Sequence, residues 1–268
     1  MATEFEIGQF ALGIAETAIG AALGFGLGLV GFHYQQKRQK EAEEEEQDNA
    51  VWDALNRLLY ASSLNIESLA NLKIQSINSL APEVVKMKEA MLRTASSHIK
   101  NQEFEINSLK EVSRNLDFFY FNIPPVSIME SPGYKEFSRV IHEMPALTTF
   151  VHRSKSSMAD LNRQVKERNE LVDAYVLEFI GLEDSNESRL RYLYFNKMLT
   201  DYADSICITV DDCLAFHQLI VDQLHFYLKK YKKGRSAFEF KLLDTVKEQM
   251  PSTLMFADLR SQIVEFQD

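Results

Sequence analysis

NAVWDALNRLLYASSLNIESLANLKIQSINSL, residues 49–80, decides the fold class. Trp52, Leu55, Leu58, Leu59, Ile66, Leu69, Leu72, Ile74, Ile77 and Leu80 recur mostly at steps of three and four. An α-helix returns a side chain to the same side every 3.6 residues, so this spacing lays the apolar groups along one face. Pro82 is expected to end that helix and open the next, because a residue without an N–H fits a first turn.

The helical period continues toward the C-terminus. Further helices are expected over about 83–101, 103–121, 134–143, 146–181, 187–233, 237–249 and 252–266. NIPPVSIMESPG, residues 122–133, is the clearest loop, with Pro-Pro and then Ser-Pro-Gly. The strongest strand candidate is SICITV, 205–210, yet helical periodicity runs through it on both sides. With 10 Gly and 6 Pro in 268 residues, an all-β chain would lack its turns. The fold expected for residues 49–268 is therefore all-α, a bundle of about seven to eight helices with coiled-coil-like packing. No internal repeat of constant period supports a solenoid.

The N-terminal side is of another kind. HYQQKRQKEAEEEEQD, residues 33–48, reads as a charged, solvated helical stalk. Before it, QFALGIAETAIGAALGFGLGLVGF at 9–32 carries a single charge, Glu16. At 1.5 Å per residue such a helix is roughly 36 Å long, enough to cross about 30 Å of hydrocarbon. Seven of the ten glycines lie at 8, 13, 20, 24, 26, 28 and 31. Each would cost a water-soluble helix about 1 kcal/mol relative to Ala, whereas in lipid small residues let helices approach closely. A single transmembrane helix is expected. Lys37, Arg38 and Lys40 follow it, while Glu4 and Glu6 precede it, which places residues 1–8 outside and the C-terminus in the cytoplasm of a cell (inner) membrane.

Gly13, Gly20, Gly24, Gly28 and Gly31 step by 7, 4, 4 and 3 and so share a helix face with Glu16 and Thr17. That face is the expected homo-oligomerisation surface.

Composition removes several function classes. Two Cys exclude a disulfide scaffold and suit a reducing compartment. The net charge of −10 argues against nucleic acid as a partner. Residues 49–268 carry 26 basic and 30 acidic side chains, so most of that charge lies in the stalk and N-terminus. No Walker loop, GxGxxG, GxSxG or kinase signature occurs, and the helical region has only Gly133, Gly181 and Gly234 to cradle a phosphate. No cofactor is expected.

Three constellations bear on chemistry. Arg93 and His98, in RTASSH, have the R-x4-H spacing; over these six residues the chain resembles the catalytic pair of HEPN-type ribonucleases, which are all-helical. Those enzymes usually place Asn, Asp or His after the Arg, where this chain has Thr94. The plain reading is a solvent-facing helical pair. Cys213 and His217, one turn apart, are the metal-ligand candidates, but Leu214, Phe216, Leu219 and Ile220 around them favour a buried structural pair. The aromatic run Phe118, Phe119, Tyr120 and Phe121, leading into Pro124 and Pro125, is the candidate partner contact, since four rings in a row cannot all face one core.

The function expected is non-enzymatic: a single-pass, self-associating membrane protein whose cytoplasmic helical domain senses or binds a protein partner. The alternatives are a membrane-perturbing or pore-forming effector of the toxin or phage-defence type, and a membrane-tethered ribonuclease using Arg93 and His98.

Overall fold

A computed structural model describes the backbone of residues 2–99, 106–179, 186–230 and 238–264. It describes their side chains apart from those of 2–19, 21–23, 95–99, 106–108, 134, 176–179, 186–187, 253, 255 and 262–264. All regular structure among the described residues is helical: α1 (Ala2–Leu72), α2 (Asn78–Ile99), α3 (Ile106–Arg114), α4 (Pro145–Phe179), α5 (Asn186–Lys230), α6 (Asp244–Lys247) and α7 (Ala257–Val264). A π turn, Lys73–Ile77, joins α1 to α2, and short 3-10 turns occupy Tyr134–Val140 and Thr253–Phe256. The all-α expectation holds, with about seven helices.

The chain divides into two compact units, Met1–Asp53 and Ala54–Asp268. The first is helical, and its described side chains between Gly24 and Ala50 are all exposed. Among the described residues no helix is long and apolar enough to cross a membrane. The side chains of 9–19 and 21–23, more than half of the expected span, lie outside the described residues, and Gly13, Glu16 and Thr17 are among them.

The core of the second unit is built around two long helices. On α4, Leu147, Val151, Ser154, Met158, Leu161, Val165, Arg168 and Val172 are buried at alternating steps of four and three. On α5 the same alternation runs Tyr192, Asn196, Leu199, Ala203, Ile206, Val210, Cys213, His217, Ile220, Leu224 and Tyr227, all buried. A 3.5-residue period is the seam of a coiled coil. The pairing is antiparallel: Arg153 lies over the Phe216 ring at 5.8 Å, the Thr209 hydroxyl donates to Gln164 at 3.3 Å, and Tyr175 meets Tyr192 at 6.1 Å. The second unit's part of α1 is buried on nearly every side, with Ala54, Ala61, Ser62, Ser63 and Ala70 beside Leu55, Leu58, Leu59, Ile66 and Leu69.

Three expected boundaries move. Pro82 lies inside α2 instead of between two helices. The break comes one turn earlier, at the π turn, where the Asn78 N–H reaches back to Lys73 O. A widened turn upstream is a known way for a helix to accommodate a proline ring that would clash with the i−4 carbonyl. Lys73 is tied there, donating to Asp211 at 2.6 Å and to the Gln249 carbonyl at 2.9 Å. The helix expected to 121 ends at Arg114: the Asn115 and Leu116 N–H groups close tight turns to the Val112 and Ser113 carbonyls, and those of Asp117 and Phe118 donate to the buried Glu83 carboxylate, both at 2.9 Å. The helix expected over 237–249 is irregular over 238–243. The Phe238 N–H donates to Asn56 at 2.8 Å and its ring meets Tyr60 edge-on at 5.2 Å, so helix resumes only at Asp244.

Candidate functional site

Residues 115–133, between α3 and the 3-10 turn, form a strap held down by helix side chains. Two Arg168 nitrogens donate to the carbonyls of Phe119 (2.6 Å) and Phe121 (2.8 Å). Asn169 pairs with both backbone groups of Ile123, accepting from its N–H at 2.9 Å and donating to its carbonyl at 2.8 Å. Asn162 accepts the Val126 N–H at 3.3 Å. Asn65 repeats the two-point grip on Met129, at 2.8 and 3.1 Å.

The gripped residues 123, 126 and 129 are three apart, and from residue 123 onward the buried strap residues Ile123, Val126 and Pro132 keep the same period. Three residues per turn is the polyproline II repeat, which Pro124 and Pro125 favour. Gly133, with φ −66° and ψ 146°, lies in that region too. The two periods match: Asn162 and Asn169 are seven helical residues apart, about 10 Å, and three polyproline residues span about 9 Å. One heptad of α4 therefore serves one turn of the strap.

Arg168 occupies a seam position on α4 and is fully buried. Burial pulls its pKa down to about 10, so it remains a cation at neutral pH. Beside it the Tyr120 hydroxyl donates to Asn196 at 2.6 Å, and its ring stacks on Tyr175 at 4.6 Å. Burial, reinforced by the neighbouring tyrosines, raises the phenols of Tyr120 and Tyr175 well above their usual range. The aromatic run is thus divided. Phe119 is fully buried and Tyr120 half-buried, while Phe118 and Phe121 are 44% and 67% exposed with ring centroids 6.4 Å apart, beside exposed Pro124 and Pro125.

Under the second half of the strap lies a cavity of about 400 Å³. Ile128, Met129, Glu130 and Ser131 of the strap line it, with Asn65 of α1, Ser154, Lys155, Met158 and Ala159 of α4, and His217 of α5. His217 is 2% exposed, and neither ring nitrogen has a hydrogen-bond partner. Burial pushes its pKa down to about 4, which makes it a neutral imidazole, one nitrogen a donor and the other an acceptor. A second cavity of about 320 Å³ lies between α5 and the C-terminal elements, among Leu219, Leu242, Met250 and Phe256. Its Asp222 is already engaged by Gln218 and Arg260.

The other sequence candidates stay apart from this site. Cys213 is buried one turn before His217, and burial lifts its thiol to about 12, so it is a neutral thiol and a poor nucleophile. Among the described residues no three His, Cys, Asp or Glu side chains are grouped to hold a metal. Arg93 is exposed and ion-paired with Glu89 at 3.4 Å; the His98 side chain lies outside the described residues. Lys37, Arg38 and Lys40 are exposed. Comparison with protein-family models, curated proteins and solved structures returned no match to this chain.

Sequence reasoning passes over Asn65, Asn162, Asn169 and Glu83, which resemble any surface amide or acid on a helix. Arg168 does leave a signal: it interrupts the apolar seam between Val165 and Val172. An ionised group on a core stripe needs a partner, and here the partner is strap backbone.

Proposed function

We propose that this chain is a single-pass membrane protein that self-associates through the glycine face of its N-terminal helix, with the helical domain after it acting in the cytoplasm as an interaction or sensor module. The observation that carries this reading is the apolar helix surface at the end of the 9–32 stretch. Phe25, Leu27 and Val30 are 70%, 73% and 68% exposed among the described residues. A contiguous exposed apolar surface calls for lipid or another protein. The near absence of charge over 9–32 and the basic flank Lys37, Arg38 and Lys40 support lipid, with the N-terminus outside.

The glycine face supports association of copies. A Cβ added at Gly20, Gly24, Gly26, Gly28 or Gly31 would meet nothing within 4 Å, so the helix is open all round here and it is the spacing of the glycines that marks one face. Small residues at four-residue steps permit the close right-handed crossings of membrane helices. Phe118 and Phe121, exposed on the strap, are the contact proposed for a protein partner in the cytoplasm.

Cross-linking in native membranes tests the reading. Gly24→Leu should reduce cross-linked oligomer several-fold, because it puts bulk on the contact face. Gly26→Leu lies off that face and should leave the yield near wild type. Equal behaviour of the two variants removes the glycine face as the interface. A reporter fused after Asp268 should be active only if it is a cytoplasmic type, and activity of an export-dependent phosphatase there would overturn the topology.

A further inference from the structure

The grip on the strap uses only one of its sides. Ile123 and Val126 are buried, and Met129 is held through both backbone groups. Phe121, Pro124 and Ser127, stepping by three, are exposed, and so are Pro125 and Ile128. Pro124 and Pro125 fix their own φ near about −65°, and a residue ahead of a proline is kept out of the helical region, which applies to Ile123 and Pro124. Together with the three-residue period, these restrictions describe a polyproline-type stretch with one ridge seated on the bundle and two adjacent ridges facing outward.

The backbone of the free ridges is rich in acceptors. Neither proline has an N–H to offer. The carbonyls of Ile123 and Met129 are taken by Asn169 and Asn65, whereas among the described residues those of Pro124, Pro125 and Ser127 accept no hydrogen bond. A stretch of this conformation docks into grooves lined by aromatic side chains, which seat its rings on two ridges. The side-chain N–H and O–H groups of tryptophan and tyrosine in such a groove can donate to the open carbonyls. Because the bundle already orders the strap, little further ordering is required on binding. Hydrocarbon offers these carbonyls no donor. A second copy of this chain fits poorly too: Phe256 is the only Phe, Tyr or Trp lining the two cavities described above, and the sole tryptophan, Trp52, is buried.

We propose that the strap is a preformed polyproline-type ligand for the aromatic-lined groove of a different protein, with the Phe121–Pro124 and Pro125–Ile128 ridges entering the groove and the carbonyls of Pro124, Pro125 and Ser127 accepting from its tryptophan or tyrosine donors. The inference rests on the reading of the strap as the partner contact and names the chemistry of that partner. It is independent of self-association.

The test places a benzophenone photo-cross-linker at Ser127 in the full chain in native membranes and maps the attached peptides by mass spectrometry. The same cross-linker at Leu254, 84% exposed on the C-terminal segment, is the control. The Ser127 position should attach to a tryptophan- or tyrosine-bearing segment of another protein, and the control should not give that product. A decamer of L-proline, added before irradiation, should lower the yield about tenfold, and the D-proline decamer should leave it unchanged. Replacing both Pro124 and Pro125 with Ala removes two rings from the groove and should also lower the yield about tenfold. Amide exchange at Ile123, Val126 and Met129 shows whether the strap of that variant is still seated. Retained protection with lost cross-linking supports the proposal, and a yield unaffected by the double substitution overturns it. A cross-linked protein that L-proline does not displace keeps the partner contact and overturns its polyproline character. Attachment to lipid or to a second copy alone, or no attachment at all, overturns both.

Discussion

Replacing Arg168 with Met is expected to lower stability by about 2–4 kcal/mol and to release the strap before the rest of the domain unfolds. Met roughly fills the space, so the loss comes from the carbonyls of Phe119 and Phe121, which are left without donors. Each such orphan costs on the order of 1–3 kcal/mol. Part of this is offset because a buried guanidinium no longer has to be desolvated. The net stays unfavourable because the acceptors are backbone and cannot be removed with the arginine. Arg168→Lys should recover only part of the loss, since one ammonium lacks the fork that reaches two carbonyls 2.6 and 2.8 Å from separate nitrogens. Thermal unfolding measures the total, and amide exchange at Ile123, Val126 and Met129 measures the local part. Unchanged protection at these three amides in Arg168→Met would show that the asparagines hold the strap without the arginine.

The second large effect concerns acid. The His217 imidazole titrates near 4 in the folded chain, against an ordinary value of 6.5. Between those values the unfolded chain binds a proton that the folded chain does not. Stability is therefore full above about pH 6.5, falls as the pH drops toward 4, and has no further contribution from this group below that. A shift of this size corresponds to about 3 kcal/mol. Burial alone lowers the His217 value: of the residues that share the cavity lining with His217, Glu130 of the strap and Lys155 of α4 are exposed, and the residue from α1 is the neutral Asn65. His217→Gln keeps a polar side chain at the seam without a titrating group. The difference between wild-type and His217→Gln unfolding midpoints should widen through this window, and a difference that does not vary with pH would mean the imidazole is reached by water.

The two effects separate what is local from what is not. Each helix carries its own period, so α4 and α5 are legible to within a few residues, and the loop at 122–133 follows from Pro-Pro and Ser-Pro-Gly. The aromatic run is only half legible. Four adjacent rings must face different ways, but which of them is buried depends on Arg168, some fifty residues distant, gripping the carbonyls on either side of Tyr120. The same holds for the end of α3, where Glu83 takes the N–H groups that would have continued the helix.

The sequence by itself determined the helical class, the long seam, the separate character of residues 9–48 and the composition that argues against phosphate-loop chemistry. These all follow from periodicity and charge within a window of a few turns. Only the tertiary structure decided the course of the strap and the place of the cavity. An asparagine that pairs with a backbone leaves no pattern in either segment, because every backbone offers the same N–H and C=O. The match between one heptad of α4 and three residues of the strap exists only once the two lie side by side. In the same way, His217 reads as an ordinary core histidine along α5, and its lack of a partner appears only when α1, α4 and the strap enclose it.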